Sequence, residues 1–253
     1  EDPKPIESEH VKQIIKFIKA NQFDMILLSD YNKGMLTNEL VEAIKKLNIP
    51  IIVDPKPINM KLFNKVFAIA PNLKEAKEIT NSNTTPTEIS KLIAEEYNTH
   101  VIITQGPNGT SSYNKNTKEY NHLPTKAREV YDVSGAGDTF IATLTLALAS
   151  KAELYEATQL ANQAAGVVVG KFGTATLTLE ELKSSFNGKH SKVKTREELL
   201  QIVKKLKSEG KKIITTNGIY DILHIGHTQL LNTAKSFGDI LILAINTDAS
   251  TKR

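Results

Sequence analysis

The sequence predicts an α/β fold: a mostly parallel sheet with helices on both faces, followed by the first βαβ unit of a second, Rossmann-like sheet. Three observations predict it. Short, near-continuous apolar runs recur along the chain, as expected for strands buried on both faces. Amphipathic stretches of helical period separate them, and strand–helix alternation is the pattern of parallel sheets. After a polar stretch at residues 187–192 the alternation starts again.

Residues 10–20 are expected to be helical, and residues 24–29 form the first apolar run. Thr37 can cap a helix reaching about Leu47, with Leu40, Val41, Ile44 and Leu47 on one face. Residues 50–53, 66–70 and 100–104 are further strands, with helices near 72–80 and 87–97. A weak hairpin follows over 109–123. The segment after Gly135 is small and apolar nearly all round, as is 154–169, so both are expected to be buried helices. Residues 179–186 make a short amphipathic helix. Thr195-Arg-Glu-Glu198 is a capping-box pattern opening a helix to Glu209. A strand at 213–216, a helix at 226–237 and a strand at 240–245 complete the chain. The expected divisions are 1–186, a linker and connecting helix at 187–210, and 211–253.

The chain has 253 residues, enough for one large or two smaller domains. Hydrophobic residues make up 40% and charged residues 24%, the balance of a soluble globular protein. The net charge of +4 is spread along the chain, which suits small anionic substrates. Nucleic acid is excluded as a partner, because no basic stripe is interleaved with aromatics and Trp is absent. Without Cys there are no disulfides and no thiolate metal sites. No apolar run reaches the roughly 18 residues of a membrane span, and the polar first residues lack a signal-peptide core. A cytoplasmic location is expected. The chain starts without Met and stops just after a strand-like run, so both ends are expected to be cut.

Gly135-Ala136-Gly137 precedes a buried helix. Glycines let a ligand approach the backbone, and the free N–H groups at a helix N-terminus hold anions. Asp138 falls in the first turn. A carboxylate there can simply complement the helix dipole. Beside an anion hole it can also take the proton of an attacking hydroxyl during phosphoryl transfer. On Gly-x-Gly alone the two readings are level.

The longer run Asp132-Val-Ser-Gly-Ala-Gly-Asp138-Thr-Phe resembles the C-terminal signature of ribokinase-like carbohydrate kinases. The resemblance implies a ribokinase-like sheet, Asp138 as catalytic base, and Gly135, Ala136 and Gly137 as the anion hole. Asn72-Leu73-Lys74-Glu75 resembles the family's Asn-x-x-Glu element, which implies contact with the ATP phosphates and Mg²⁺ at Glu75. Thr104, Gly106 and Gly109 match the Thr-x-Gly-x-x-Gly stretch beside the nucleotide. Asn162 and the run from Gly170 to Thr174 resemble the helix and loop near the adenine. Taken singly, Glu75 is more often a solvated helix residue, Gly106 and Gly109 more often turn glycines, and Asn162 more often a helix surface residue.

Ser29-Asp30-Tyr-Asn-Lys33-Gly34 and Asp54-Pro-Lys56 each follow an expected strand, where ligands gather in open α/β sheets. Both resemble the heptose-phosphate kinases of lipopolysaccharide core synthesis. Asp30, Lys33 and Lys56 are thereby candidate substrate residues, with an ordinary surface lysine as the alternative for each Lys.

Thr216-Asn217-Gly218 leads into His224-Ile-Gly-His227 between a strand and a helix. Two His three apart at a helix start can donate to phosphate oxygens; surface His or metal ligands are the alternatives, though no familiar zinc pattern is completed. The run resembles the His-x-Gly-His signature of nucleotidyltransferases related to glycerol-phosphate cytidylyltransferase. That implies attack of a sugar-1-phosphate oxygen on the α-phosphate of ATP, with His224 and His227 stabilising charge and Thr216 contacting phosphate.

The combination is similar to the bifunctional heptose-7-phosphate kinases and heptose-1-phosphate adenylyltransferases of Gram-negative bacteria. It implies ATP and a sugar phosphate as ligands, ADP-heptose as product, and a homodimer at full length. The family's N-terminal strands and lid and most of its adenylyltransferase half have no counterpart in these residues, so an internal fragment is expected. Alternatives are a kinase for another sugar or a nucleoside, or a non-catalytic nucleotide-binding fragment.

Overall fold

A computed structural model describes residues 4–125, 133–171, 175–186, 193–220 and 224–246. The chain divides into two compact units, Glu1–Lys189 and His190–Arg253.

In the first unit, β1 (Ile26–Ser29), β2 (Ile51–Asp54), β3 (Ala68–Ile69) and β4 (His100–Thr104) pair in parallel and in sequence order. β5 (Thr110–Tyr113) and β6 (Tyr120–Leu123) extend the sheet as an antiparallel hairpin, so it is mixed at that edge. The expected alternation is borne out, and its period-2 side-chain geometry builds two cores. Ile51, Val53, Ile69, Val101 and Ile103 point to one face. There they meet α1 (Ser8–Ala20), α2 (Asn38–Lys45), α3 (Leu73–Thr80) and α4 (Pro86–Tyr97). Ile52, Ala68, Ala70 and Ile102 point to the other, against α5 (Ala136–Ala149) and α6 (Leu154–Val168). Each fully buried Ile of this kind contributes about 1.5–3 kcal/mol.

Local chemistry sets the helix starts. Thr37 accepts from the Leu40 N–H, and Asn72, Thr85 and Thr195 each close a capping box with a Glu three residues on. α5 is buried on one side only: Phe140, Ile141, Leu144 and Leu148 enter the core while Leu146 is 70% exposed. A 3-10 helix at Pro57–Phe63 was not foreseen. It follows the strand directly and buries Met60 and Phe63 between α2 and α3.

α7 (Leu179–Phe186) packs on α6 and closes the first unit. In the second unit α8 (Arg196–Ser208) is followed by a parallel pair, β7 (Ile213–Gly218) and β8 (Ile240–Ile245), joined by α9 (Ile225–Ser236). That is the expected βαβ unit. The expected linker at 187–192 lies outside the described residues.

Candidate active site

The site of the first unit lies where parallel strands end, because every βα turn of such a sheet opens on the same edge. β1 delivers Asp30 and Tyr31, β2 delivers Asp54 and Lys56, and β3 leads to Asn72 and the start of α3. An isolated parallel bridge sets Asn72 beside Thr104 at the end of β4. Two elements expected to serve one nucleotide are thus adjacent.

Asp30 is buried, and both its oxygens are used. Oδ1 accepts from the Asn32 N–H at 2.8 Å; Oδ2 accepts from the Lys56 N–H at 3.2 Å and from Asn59 Nδ2 at 2.9 Å. It organises the loops after β1 and β2. Lys33 lines a pocket of about 320 Å³ with Ser29, Asp30, Tyr31, Met35 and Leu36.

Glu75 is likewise buried, and its Oε2 accepts the Asn72 N–H at 3.0 Å. Its Oε1 takes the Lys56 ammonium at 2.6 Å. The hydrogen bond to Glu75 raises the Lys56 pKa, with burial opposing. Leu73 packs into the core, and Lys74 stands exposed beside Glu78 at 4.0 Å, so neither joins this group.

Asp54, at the end of β2, was not singled out as a site residue. Burial pushes its carboxyl up to about 6; the Glu75, Asp138 and Asp30 charges add to the rise and Lys56 opposes it. Asp30, Asp54, Glu75 and Asp138 therefore gather at one strand-end cleft, with the Lys56 ammonium paired to Glu75. The signal was present in the sequence, since Asp54 ends an apolar strand, but only the fold shows its neighbours.

Asp138 is exposed in the first turn of α5 and accepts the Tyr31 hydroxyl at Oδ1, 3.3 Å away. Gly135 caps the helix at φ 76°, a left-handed conformation natural to glycine, and the space over Gly137 is open to 4 Å. Backbone N–H groups at a helix start beside a carboxylate suit an anion next to a proton acceptor. Asp132 lies outside the described residues.

Gly106 and Gly109 bound a 3-10 turn at Gly106–Asn108, both at positive φ. Gly106 faces open space. A Cβ on Gly109 would stand 2.0 Å from the Leu123 carbonyl oxygen, so this glycine is demanded by the hairpin. Asn162 accepts from Thr110 Oγ1 at 3.1 Å and donates to the Pro124 carbonyl at 3.2 Å. It ties α6 to the hairpin. In the adjoining loop, Gly170 and Lys171 are described, and Gly173 and Thr174 fall outside the described residues.

In the second unit, Thr216, Asn217 and Gly218 end β7 opposite Leu243, Ala244 and Ile245. His224 is the N-cap of α9 and His227 lies in its first turn. Their rings stack at 3.9 Å, and Tyr220 meets His227 edge-on at 4.9 Å. A Cβ on Gly226 would press on the His224 ring at 3.1 Å, so the glycine between the histidines permits the stack. At Gly218 a Cβ would meet the Tyr220 ring at 2.9 Å; that face is filled by tyrosine here. Tyr220 Oη and His227 Nδ1 are buried and have no hydrogen-bond partner among the described residues. Such orphans suit a site that completes its bonds with a ligand.

Among the described residues no group of three or more His, Asp or Glu is placed to hold a metal by itself. Mg²⁺ usually takes only one or two carboxylates, with phosphates and waters supplying the rest. Glu75 and Asp54 fit that oxygen donor set, and the Lys56 ammonium shows that Glu75 takes a cation.

A mostly parallel sheet whose strand-end cleft sets Asp138 beside a glycine-opened helix start has the arrangement expected of a ribokinase-like carbohydrate kinase. Residues 1–182 match the model of the pfkB family carbohydrate kinases, and residues 215–253 match the cytidylyltransferase-like family. The chain belongs to the pfkB family. More particularly, it is 40% identical to "Bifunctional protein HldE" of Aliarcobacter butzleri, over 98% of this chain and 55% of that protein. It is also 40% identical to the protein of the same name from Escherichia fergusonii, over 100% of this chain and 53% of that one. The chain thus spans about half the length of these relatives. The crystal structure of ribokinase from Thermotoga maritima is similar at 26% identity and a TM-score of 0.61, covering 70% of this chain and 61% of that one.

Proposed function

We propose that this chain carries the phosphoryl-transfer site of an ATP-dependent heptose 7-phosphate kinase and the phosphate-binding start of a heptose 1-phosphate adenylyltransferase. The two steps together would make ADP-heptose for lipopolysaccharide core synthesis. Relatives named as bifunctional, and the kinase and cytidylyltransferase-like matches, support a kinase and nucleotidyltransferase that use ATP. One observation carries the kinase half: Asp138 stands in the first turn of α5, beside open glycine backbone, close enough to Asp54 for its charge to add to the rise of the Asp54 pKa.

In this reading Asp138 accepts the proton of the sugar C1 hydroxyl as that oxygen attacks the γ-phosphoryl group. The N–H groups at Gly135, Ala136 and Gly137 hold the charge that develops on the phosphoryl oxygens. Tyr31 orients the Asp138 carboxylate. Glu75, with Asp54, would hold Mg²⁺, which supplies charge neutralisation on the phosphates when bound. Lys33 faces the sugar side, and Thr104, Gly106 and Gly109 border the nucleotide. In the second unit His224, His227 and Thr216 would meet the phosphates of the adenylyl donor, where the orphaned His227 Nδ1 gains a partner. A cytoplasmic homodimer, formed by the longer chain, belongs to the same proposal. Among the described residues no helix is long and apolar enough to cross a membrane.

The test uses the chain extended to the length of its relatives, with heptose 7-phosphate and ATP. Heptose 1,7-bisphosphate is the expected product, and transfer only to ribose or a nucleoside would overturn the assignment. Asp138→Asn should lower kinase kcat by at least about 100-fold, the scale of a general base, and spare adenylyl transfer; retained kinase activity removes Asp138 as the base.

A further inference from the structure

Glu75 is matched to a metal, yet both of its oxygens are engaged. Oε1 holds the Lys56 ammonium at 2.6 Å, and Oε2 accepts the Asn72 N–H at 3.0 Å. The second bond is half of the capping box that starts α3, so Glu75 is fixed by its own helix. Lys56 differs. Its backbone lies between Pro55 and Pro57 and donates to Asp30, which immobilises the main chain. Its side chain is 42% exposed, against 11% for Glu75, and runs on flexible methylenes. A movable cation is therefore parked on an immovable carboxylate.

The surrounding charge explains why it parks there. The charges of Glu75, Asp138 and Asp30 all act on Asp54. A partly buried carboxylate without a counter-ion is costly. Lys56 forms an ion pair with this group through Glu75. It partly neutralises the cleft when nothing else is bound. A divalent ion would do the same with more charge, and it needs the oxygen that Lys56 holds.

We propose that Lys56 is the resident counter-ion of this carboxylate site, and that a divalent cation reaches Glu75 by displacing the Lys56 ammonium. This deepens the kinase reading and takes from it only the kind of cation. Lys56 then acts as a positioning residue. It keeps the carboxylates paired in the ligand-free protein, raises the threshold for metal alone, and is freed into the cleft once the metal arrives.

The experiment titrates the 253-residue chain with Mn²⁺, without nucleotide, and follows free Mn²⁺ by electron paramagnetic resonance. Lys56→Met should bind Mn²⁺ roughly 30-fold more tightly than wild type, the effect of removing one unit positive charge about 4 Å from a doubly charged ion in a water-like dielectric. Glu75→Gln should lose the site. In wild type, Mn²⁺ should increase acetylation of Lys56 by acetic anhydride, read by mass spectrometry, as the ammonium leaves its partner. If Lys56→Met folds poorly, Lys56→Gln carries the same comparison. Equal or weaker Mn²⁺ binding in the lysine variant, undiminished binding in Glu75→Gln, or unchanged acetylation would each overturn the proposal. A merely structural ion pair predicts lower stability and no gain in metal affinity. Because no phosphoryl transfer is required, a chain that passes here and fails the Asp138 test loses only the kinase reading, and the converse loses only this inference.

Discussion

His100 opens β4, the strand that carries Thr104 and the Gly106–Gly109 turn, and acid should destabilise the first unit through it. The residue is 5% exposed, and its ring packs against Phe67 at 5.1 Å and accepts the Lys115 N–H at Nδ1. Burial lowers its pKa from 6.5 to about 4, with the Lys115 charge adding to the drop. The folded state therefore binds the proton less readily than the unfolded chain. Below pH 6.5 the unfolded state takes up a proton that the folded state refuses, so stability falls with pH until about 4. Each pH unit between those values is worth ~1.4 kcal/mol, which makes the full effect about 3 kcal/mol. By pH 5, about 2 kcal/mol of it is lost. The perturbation is His100→Asn, whose Oδ1 can still accept the Lys115 N–H but does not titrate. Urea unfolding followed by circular dichroism at pH 7, 6 and 5 gives both stabilities. The variant should start lower, by roughly 1–3 kcal/mol for lost packing. The gap should then close by about 2 kcal/mol at pH 5. Stabilities that run parallel from pH 7 to pH 5 would refute the buried, neutral histidine.

Two further outcomes follow from the geometry. Gly109→Ala should cost about 2–4 kcal/mol, because positive φ and a backbone clash coincide there; a thermal midpoint within a degree or two of wild type would contradict that. Tyr31→Phe removes a hydroxyl from Asp138 at an exposed position, so kinase kcat in the longer chain should fall about three- to tenfold, near 1 kcal/mol, with the thermal midpoint held; unchanged kcat would show that the hydroxyl does not orient the base.

The strand–helix alternation was legible because its causes are local. A strand shows its two faces in successive residues, and Asn72 or Thr195 needs only a Glu three positions on to start a helix. The glycines and Asp138 were legible for the same reason, since a helix start and its first turn are contiguous. The 3-10 helix at Pro57–Phe63 was not, because its apolar residues follow the space between α2 and α3 and no regular period. Asn162 was expected at the nucleotide; its two bonds to the hairpin join residues 52 and 38 positions away. Gly218 stands against the Tyr220 ring, a neighbour that only the folded chain shows.

By itself the sequence determined the elements, their order and the residue types at each strand end. It did so because propensity, capping and hydrophobic period act over a few residues. Only the tertiary structure decided the partnerships: Tyr31 with Asp138 across 107 positions, and Lys56 with Glu75 across 19. Those depend on parallel crossovers bringing distant strand ends to one edge. There burial and the Coulomb field of neighbours, and no local pattern, set what each charge does.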